Sequence, residues 1–394
     1  MTRRSAFVAV AYTFVVGMCG TTLPSPLYPL YQREFGFGEL TVTLVYATYA
    51  FAVLATLLFA GGVSDLVGRR KVLAAALAFA VASAVVFLVA SDLALLFVGR
   101  ALSGLSAGLL TGSATAALLD LAHPGRLRRA SLVATLANMG GLGLGPLAAG
   151  LLASSTSNPL KSPFVFNLAI LVPAVVGVWL MPEPVVNRGR LRLRTTVGLP
   201  HEVRPVFIPA ALAGFAGFVV LGVFSSVGPA ALGHILSVTD PAAVGAVLFG
   251  VFLASTVGQT ILHLFTASRA LRSGCVVLVL GMGLLAAGLQ LPSLALLITG
   301  GLVGGFGQGL SFSAGMSLVN AATAPHDRAK VTSLLFLVLY VGISIPVIGV
   351  GIGAREYGLL AAGTTCAVAV ALLASIAFMI LKSNRLGVSP KSTR

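Results

Sequence analysis

Charge is what this sequence has least of. Only 9% of its 394 residues are charged and only ten are acidic, whereas 57% are hydrophobic and the mean hydropathy is +1.02. A chain with so little polar side-chain material cannot cover the surface of a water-soluble globule. The composition therefore excludes a soluble domain and indicates an integral membrane protein.

The apolar runs also lack the alternation of a membrane β-barrel. They reach 18 to 25 residues without a period of two, which favours membrane-spanning helices over lipid-facing strands. The longest break between runs is Pro182 to Pro205, so there is no room for a soluble catalytic domain. Twelve spans are predicted, near 6–31, 41–63, 71–90, 93–120, 130–154, 163–181, 206–230, 241–265, 273–291, 293–320, 331–353 and 357–381.

The sequence is equally short of residues that catalyse reactions or bind metals. Cys19, Cys275 and Cys366 fall inside predicted spans and have neither disulfide nor metal-ligand spacing. The five histidines are scattered over different loops and spans. No pairing of a nucleophile with a base and no phosphate-binding loop is present. We therefore expect no enzymatic activity, no metal and no cofactor.

Basic residues are present, but they are distributed unevenly. With a cytoplasmic N-terminus, 21 of the 25 lysines and arginines fall on the inner side, which is the asymmetry that orients membrane proteins. The net charge of +15 would then lie against an anionic inner leaflet. Nucleic-acid binding is not indicated, because the cations are not gathered on a soluble module. We predict a multi-pass protein of the cell (inner) membrane with both termini in the cytoplasm.

The second half of the chain repeats the first. An offset of about 200 residues pairs segment 104–121 with 305–322, and in the following span it pairs Pro146 with Pro346. We therefore predict an all-α membrane protein whose twelve helices form two parallel, pseudo-symmetric halves. Such halves leave a central interface that opens to either side of the membrane in turn. The predicted divisions are a first half at 1–181, a basic cytoplasmic linker at 182–204, and a second half at 205–394 that ends in a short cytoplasmic tail.

A motif lies in the loop between spans two and three. The pattern G-x-x-x-D-x-x-G-R-R is formed by Gly61, Asp65, Gly68, Arg69 and Arg70. It resembles the signature of the major facilitator superfamily, whose fold has the predicted twelve helices in two halves. The resemblance implies that Asp65 and Arg69, with Asp120 at the end of the fourth span, grip the neighbouring half when the outside is open. A basic loop that only sets topology is the alternative.

Two further segments resemble the twelve-helix drug:proton antiporters of that superfamily. Arg100 and Gly104 occupy the R-x-x-x-G positions of the fourth-helix motif, and the resemblance implies that Arg100 contacts the proton-coupling or substrate site. An arginine that extends to the outer surface is the alternative. The fifth-helix antiporter motif is matched at Gly141, Gly145, Pro146 and Gly150. The resemblance implies a hinge that limits leakage there, and simple small-residue packing is the alternative.

One departure from that family concerns proton coupling. Many drug antiporters carry an acidic residue in the first helix ahead of a proline segment, whereas Gly20 and Thr21 stand there in this chain, and none of the ten acidic residues falls clearly at mid-membrane. The central pocket is expected to offer aromatic faces and neutral hydrogen-bonding groups. The candidate cavity residues are Tyr28, Tyr46, Tyr49, Asn138, Gln308 and Tyr340. Because no pair of charged side chains can clasp a strongly charged substrate, a neutral or lipophilic compound is expected.

The expected function follows from the resemblance and from this pocket. We expect a secondary active transporter that exports small amphipathic, drug-like compounds by alternating access, in exchange for protons. A facilitator or symporter for a sugar, an amino acid or another metabolite is the alternative. The expected partners are the small-molecule substrate, protons as the coupling ion and the lipid bilayer, and the expected oligomeric state is a monomer.

Overall fold

The structure is a computed structural model that describes residues 1–60, 63–184 and 199–383. Within these ranges it contains helices and no strand. Twelve helical segments are long and apolar enough to cross a membrane, which confirms the twelve predicted spans. The helices are α1 (Arg3–Thr22), α2 (Tyr28–Phe35), α3 (Glu39–Ala60), α4 (Val63–Val67), α5 (Arg69–Leu88), α6 (Leu93–Leu121), α7 (Leu127–Ser155), α8 (Ser162–Leu180), α9 (Arg204–Ser226), α10 (Gly228–Leu236), α11 (Pro241–Thr260), α12 (Ala267–Gln290), α13 (Leu294–Ala322), α14 (Arg328–Tyr357) and α15 (Leu359–Ser383).

The first span is built from two helices rather than one. After α1, a 3-10 turn at Ser25–Leu27 leads into α2. Pro24 and Pro26 lack a backbone N–H, so the regular pattern of helical hydrogen bonds is interrupted there. The seventh span has the same construction, since α10 follows the end of α9 after a single residue. The break therefore occurs at equivalent places in the two halves.

The two halves have the same internal packing. In the first, α1 packs against α6, α7 and α8, α3 against α6, and α5 against α6 and α8. In the second, α9 packs against α13, α14 and α15, α11 against α13, and α12 against α13 and α15. Each contact in the second half corresponds to a contact in the first half between the spans that come six places earlier in the chain. The predicted pseudo-symmetric pair of six-helix halves is thereby confirmed.

The halves meet along two helix pairs, α7 with α11 and α3 with α14. The counterpart of α7 in the second half is α14, and the counterpart of α3 is α11. A pseudo-twofold axis along the bundle therefore relates one pair to the other. We call the end of the bundle at which α1 begins the terminal face, and the other end the opposite face. At the terminal face, Arg3 donates hydrogen bonds from its guanidinium to the carbonyls of Asp120 (2.7 Å), Leu121 (3.0 Å) and Ala122 (3.1 Å). These bonds cap the last turn of α6.

Candidate functional site

A cavity of about 470 Å³ lies between the two halves. Eight helices line it, α1, α3, α6 and α7 from the first half and their counterparts α9, α11, α13 and α14 from the second. Its volume is in the range of pockets that hold drug-sized ligands. Among the lining residues in the described ranges, Arg100 is the one ionisable side chain apart from tyrosine, and none is a carboxylate.

The cavity extends towards the terminal face. Its lining includes Leu119, two residues before the end of α6, and Leu57, near the end of α3. It also includes Ser131 in the second turn of α7, which is exposed, as is Gly112 on α6. The solvent-accessible mouth of the cavity is therefore at the terminal face, and Arg100 is at the far end.

The opposite face is closed by the two helix pairs that join the halves. A Cβ placed on Gly150 of α7 would lie against the carbonyl oxygen of Pro241 at the start of α11, and one placed on Gly245 of α11 would lie against the carbonyl oxygen of Pro146. In the other pair, a Cβ on Gly351 of α14 would meet the Thr43 hydroxyl of α3. Glycine at these positions lets the backbones approach closely enough to exclude solvent.

A hydrogen-bonded contact reinforces that closure. Asp240 caps the first turn of α11, accepting from the Ala242 amide at 3.1 Å, and it also accepts a hydrogen bond from the Ser154 hydroxyl of α7. The same hydroxyl accepts from the Ala242 amide at 3.0 Å. These hydrogen bonds, led by the one from Ser154, hold the pKa of the Asp240 carboxyl below its ordinary value. The two halves are thus joined by polar as well as close-packed contacts at the opposite face.

The residues of the fifth-helix motif lie on α7 and contact two different neighbouring helices. Gly141 and Gly145 face α1, where an added Cβ would meet the carbonyl oxygens of Val15 and Cys19. Pro146 and Gly150 face α11 in the other half. The motif is therefore part of the seal between the halves as well as a packing surface inside the first half.

Arg100 is buried at the eighth position of α6, with 1% of its surface exposed. One of its terminal nitrogens, Nη1, donates a hydrogen bond to the carbonyl oxygen of Thr21 at 2.6 Å. Its guanidinium carbon lies 4.4 Å from the ring centre of Tyr49 and 5.3 Å from that of Tyr46. Nε has no hydrogen-bond partner. The side chain points into the protein and does not extend to the outer surface.

The position of the missing first-helix acid is next to this arginine. At this position Thr21 accepts the hydrogen bond from Arg100 through its neutral backbone carbonyl, whereas an acidic residue would offer a negatively charged carboxylate. The neighbouring Gly20 packs against the Asn167 side chain of α8, 2.7 Å from where its Cβ would be. Gly104, one turn beyond Arg100, lets α6 approach the backbone of α3 at Tyr49. The arginine is therefore held by a neutral carbonyl and two aromatic rings.

The remaining candidate cavity residues are placed in two groups. Tyr46, Tyr49, Asn138 and Tyr340 line the cavity. Tyr28 and Gln308 lie behind its wall and are buried to 1% exposure. The Gln308 side chain accepts a hydrogen bond from Ser255 at 2.6 Å and packs against Gly217, because the close approach of α9 and α11 to α13 turns it away from the cavity.

An aromatic wall on the second half completes the cavity. Phe218 of α9 lies 5.5 Å from Phe312 of α13 between ring centres, and 6.2 Å from Tyr340 of α14. Phe312 lies 6.3 Å from Phe336. The sequence-based prediction named tyrosines as the source of aromatic faces in the pocket and did not include these phenylalanines. In a chain with 22 phenylalanines, no local signal separates these three and Phe252, which also lines the cavity, from those that face lipid.

The loop motif forms a charged cluster at the terminal face. Arg69 Nε donates to Asp120 Oδ2 at 3.0 Å, and its Nη1 donates to the Ser64 hydroxyl at 2.5 Å. The cluster ties α4, α5 and α6 together within the first half. Gly61 and the side chain of Asp65 lie outside the described part of the chain, so the predicted role of that aspartate stays a prediction.

Glu183 adds a contact that the sequence reading did not include. Its carboxylate accepts hydrogen bonds from the backbone amides of Arg69 (2.8 Å) and Arg70 (3.1 Å). The acid thus caps the positive end of α5. Gly68 precedes this helix with φ of +108°, a conformation that favours glycine, and a side chain there would meet the Glu183 carboxylate. The available signal was an acidic residue directly after the sixth span.

Comparisons with known proteins agree with this architecture. The family model for the Major Facilitator Superfamily matches residues 10–259. Multidrug resistance protein 2 of Bacillus subtilis (strain 168) is 24% identical over 221 residues, which is 54% of each chain. Puromycin resistance protein pur8 of Streptomyces alboniger is 32% identical over 178 residues, 45% of this chain and 35% of that protein. The chain therefore matches about half or less of the length of these two relatives.

A solved structure has the same fold over nearly the whole chain. It is a bacterial homologue of the human lysosomal transporter Spinster, in an inward-facing and unoccupied conformation. It aligns with a TM-score of 0.73 at 16% identity and covers 97% of both chains.

Proposed function

The chain belongs to the Major Facilitator Superfamily of transporters, and from that premise we propose that it exports small amphipathic compounds from the cell by alternating access. The observation that carries the proposal is the cavity between the halves, which joins aromatic surface to neutral polar groups and opens at one face only. Relatives named for multidrug and puromycin resistance support export of drug-like molecules.

The proposal assigns the terminal face to the cytoplasm of the inner membrane. Positively charged residues of short loops favour the cytoplasmic side. In that orientation the structure is an inward-open state that would load substrate from the cytoplasm. The proposed unit is a monomer with halves at 1–181 and 205–394 joined by the linker 182–204, of which residues 185–198 lie outside the described part.

Alternating access requires the contacts at the two faces to exchange. In the inward-open state the opposite face is held by α7 with α11 and α3 with α14, whereas the cluster of Arg69 and Asp120 is bonded within the first half. We propose that this cluster engages the second half when the terminal face closes. A partly buried ion pair that gains a partner in one state only biases the equilibrium towards that state.

We further propose that export of the compound is coupled to the entry of protons. Such coupling needs a group that gains and loses a proton as the cavity changes sides. Among the described residues no carboxylate lines the cavity, so the relatives named for drug resistance are the main support for proton exchange. The lack of a cavity carboxylate also favours a second candidate, a facilitator or symporter of a sugar, an amino acid or another metabolite.

Uptake into inside-out membrane vesicles tests the export proposal. A panel of fluorescent amphipathic compounds is offered with either an imposed pH gradient or an imposed potential. The variant Thr115→Trp fills the cavity, because Thr115 lines it on α6. The matched control is Thr299→Trp, at an exposed position of α13. Uptake should be lost with the first variant and retained with the second.

Two results of this assay would count against the proposal. If no compound in the panel enters vesicles containing the native chain, export of amphipathic compounds is wrong, and growth complementation with single nutrients then tests the second candidate. If uptake is insensitive to the pH gradient, export stands and exchange for protons is wrong.

A further inference from the structure

We propose that the cavity selects amphipathic compounds with one negative charge, such as aromatic monocarboxylates or monosulfonates, which place the anionic group beside Arg100 and the ring system against Phe218, Phe312 and Phe336. This inference rests on the proposed function and narrows its substrate class. A single charge is compatible with the absence of paired cations that would clasp a multiply charged metabolite.

The first argument is that the positive charge of Arg100 has no counterion in the described part of the chain. The guanidinium contacts a backbone carbonyl and two aromatic rings, and its Nε has no hydrogen-bond partner although the residue is only 1% exposed. An arginine held inside a membrane protein without a counterion is energetically costly and marks a functional site by default. An anionic ligand would supply the missing charge and a strong, charge-assisted hydrogen-bond acceptor.

The second argument is the position of the acidic residues. The structure describes the side chains of nine of the ten acidic residues, all except Asp65, and none of the nine lines the cavity. The nine are Glu34, Glu39, Asp92, Asp120, Glu183, Glu202, Asp240, Asp327 and Glu356. A cationic compound would therefore enter a low-dielectric space with a like charge and no carboxylate to pair with. The faces of Tyr46 and Tyr49, which would otherwise attract a cation, are already occupied by the guanidinium.

The third argument is that charge and aromatic surface lie on opposite walls. Arg100 and its two tyrosines belong to α6 and α3 of the first half, whereas the phenylalanines belong to α9, α13 and α14 of the second. A ligand that satisfies both walls bridges the halves. It would need a polar end and a flat apolar body, which is the definition of an aromatic amphiphile.

The mouth of the cavity has the sign that attracts such a ligand. Arg126, Arg128 and Arg129 are exposed just before and within the first turn of α7, close to the lining residue Ser131. The acid nearest to them along the chain, Asp120, is paired with Arg69. Clustered charge of one sign at a cleft raises the local concentration of oppositely charged ligands.

Binding of three matched probes to the purified chain in nanodiscs tests the proposal. The probes share the dansyl ring system and a short linker and differ in charge: dansylglycine is an anion, dansylglycinamide is neutral and N-dansylethylenediamine is a cation. The native chain should bind dansylglycine at least tenfold more tightly than the amide, and the cation most weakly. Arg100→Gln should remove the preference for the anion while changing the affinity for the amide less than twofold, and Arg100→Lys should retain part of the preference.

Other results separate the possible failures. If Arg100→Gln weakens all three probes equally, the arginine is structural and the proposal is wrong. A native chain that binds the cation as tightly as the anion overturns it as well. If none of the probes binds, the proposed export of amphipathic compounds fails together with the inference. Phe312→Leu checks the opposite wall and should weaken all three probes by a similar factor, since it removes ring contact without changing charge.

Discussion

Gly150→Ala is expected to open the face of the bundle that the structure holds closed. Gly150 meets the first turn of α11 from the other half. Apart from the Pro241 carbonyl oxygen, a Cβ at this position would lie 2.9 Å from the carbonyl carbon of Pro241 and 3.1 Å from the Cα of Ala242. All of these are backbone atoms, so no side-chain rotation can relieve the overlap.

The size of the effect follows from this geometry. Carbon atoms in contact are about 3.5–4.0 Å apart, so α7 and α11 must separate by at least about half an ångström. Overpacking of this kind costs about 1–3 kcal/mol. Because a free-energy change in that range shifts an equilibrium roughly 5- to 150-fold, conformations with the opposite face closed should become less populated by about that factor.

A distance measurement between the halves reports this shift. Spin labels are attached to cysteines at Asn158 and Thr239, two exposed positions in loops of the opposite face, in a chain whose three native cysteines are replaced. Pulsed electron paramagnetic resonance should show a larger long-distance population in Gly150→Ala than in the native sequence. Gly140→Ala is the matched control, because it lies in the same helix and an added Cβ there meets nothing within 4 Å.

The reasoning is refuted if the two alanine variants give the same distance distribution. It is also refuted if Gly150→Ala lowers thermal stability without any change in the distances, since the glycine would then serve packing alone. A shift in Gly150→Ala only would support a gating role for the fifth-helix motif.

Two further predictions concern Glu183 and the driving force. Glu183→Ala removes the acceptor for two backbone amides at the start of α5. It should destabilise the protein by about 0.5–2 kcal/mol, as loss of a helix cap does. The control is Glu202→Ala, which removes an exposed acid elsewhere, and a thermal midpoint of Glu183→Ala no lower than that of the control would contradict the prediction. The driving force for export of a monoanion should change with membrane potential by about 2.3 kcal/mol per 100 mV. An inside-positive potential in inside-out vesicles should therefore drive dansylglycine uptake without a pH gradient. Equal uptake of dansylglycine and dansylglycinamide under that potential would contradict this prediction.

Much of the fold could be predicted because its determinants are local. The length and apolarity of each run fixed the twelve spans, since a helix must cross about 30 Å of hydrocarbon whatever its neighbours are. The internal repeat predicted the two halves, and the matching contact sets confirmed them. Arg100 could be identified as a candidate site residue because placing a charged side chain within an apolar span costs free energy, and a charge within an apolar run can be recognised from the sequence alone.

The rest depended on which helices meet. The sequence shows that Glu183 follows a span, but only packing brings its carboxylate to the amides of Arg69 and Arg70, more than a hundred residues away. Gln308 was a reasonable cavity candidate by composition, and its neighbours on α9 and α11 turn it away. Likewise, no local pattern distinguishes a phenylalanine that faces a cavity from one that faces lipid, because both environments are apolar.

The sequence alone therefore determined the class of molecule, the number of its spans and the presence of an arginine within one of them, since hydrophobic length and charge are properties of each segment. Tertiary structure decided which face is closed, by placing Gly150 against Pro241 and Gly351 against Thr43. It also decided what Arg100 contacts, a carbonyl and two rings in place of a carboxylate. Those facts depend on close approach between distant segments, and no single segment encodes them.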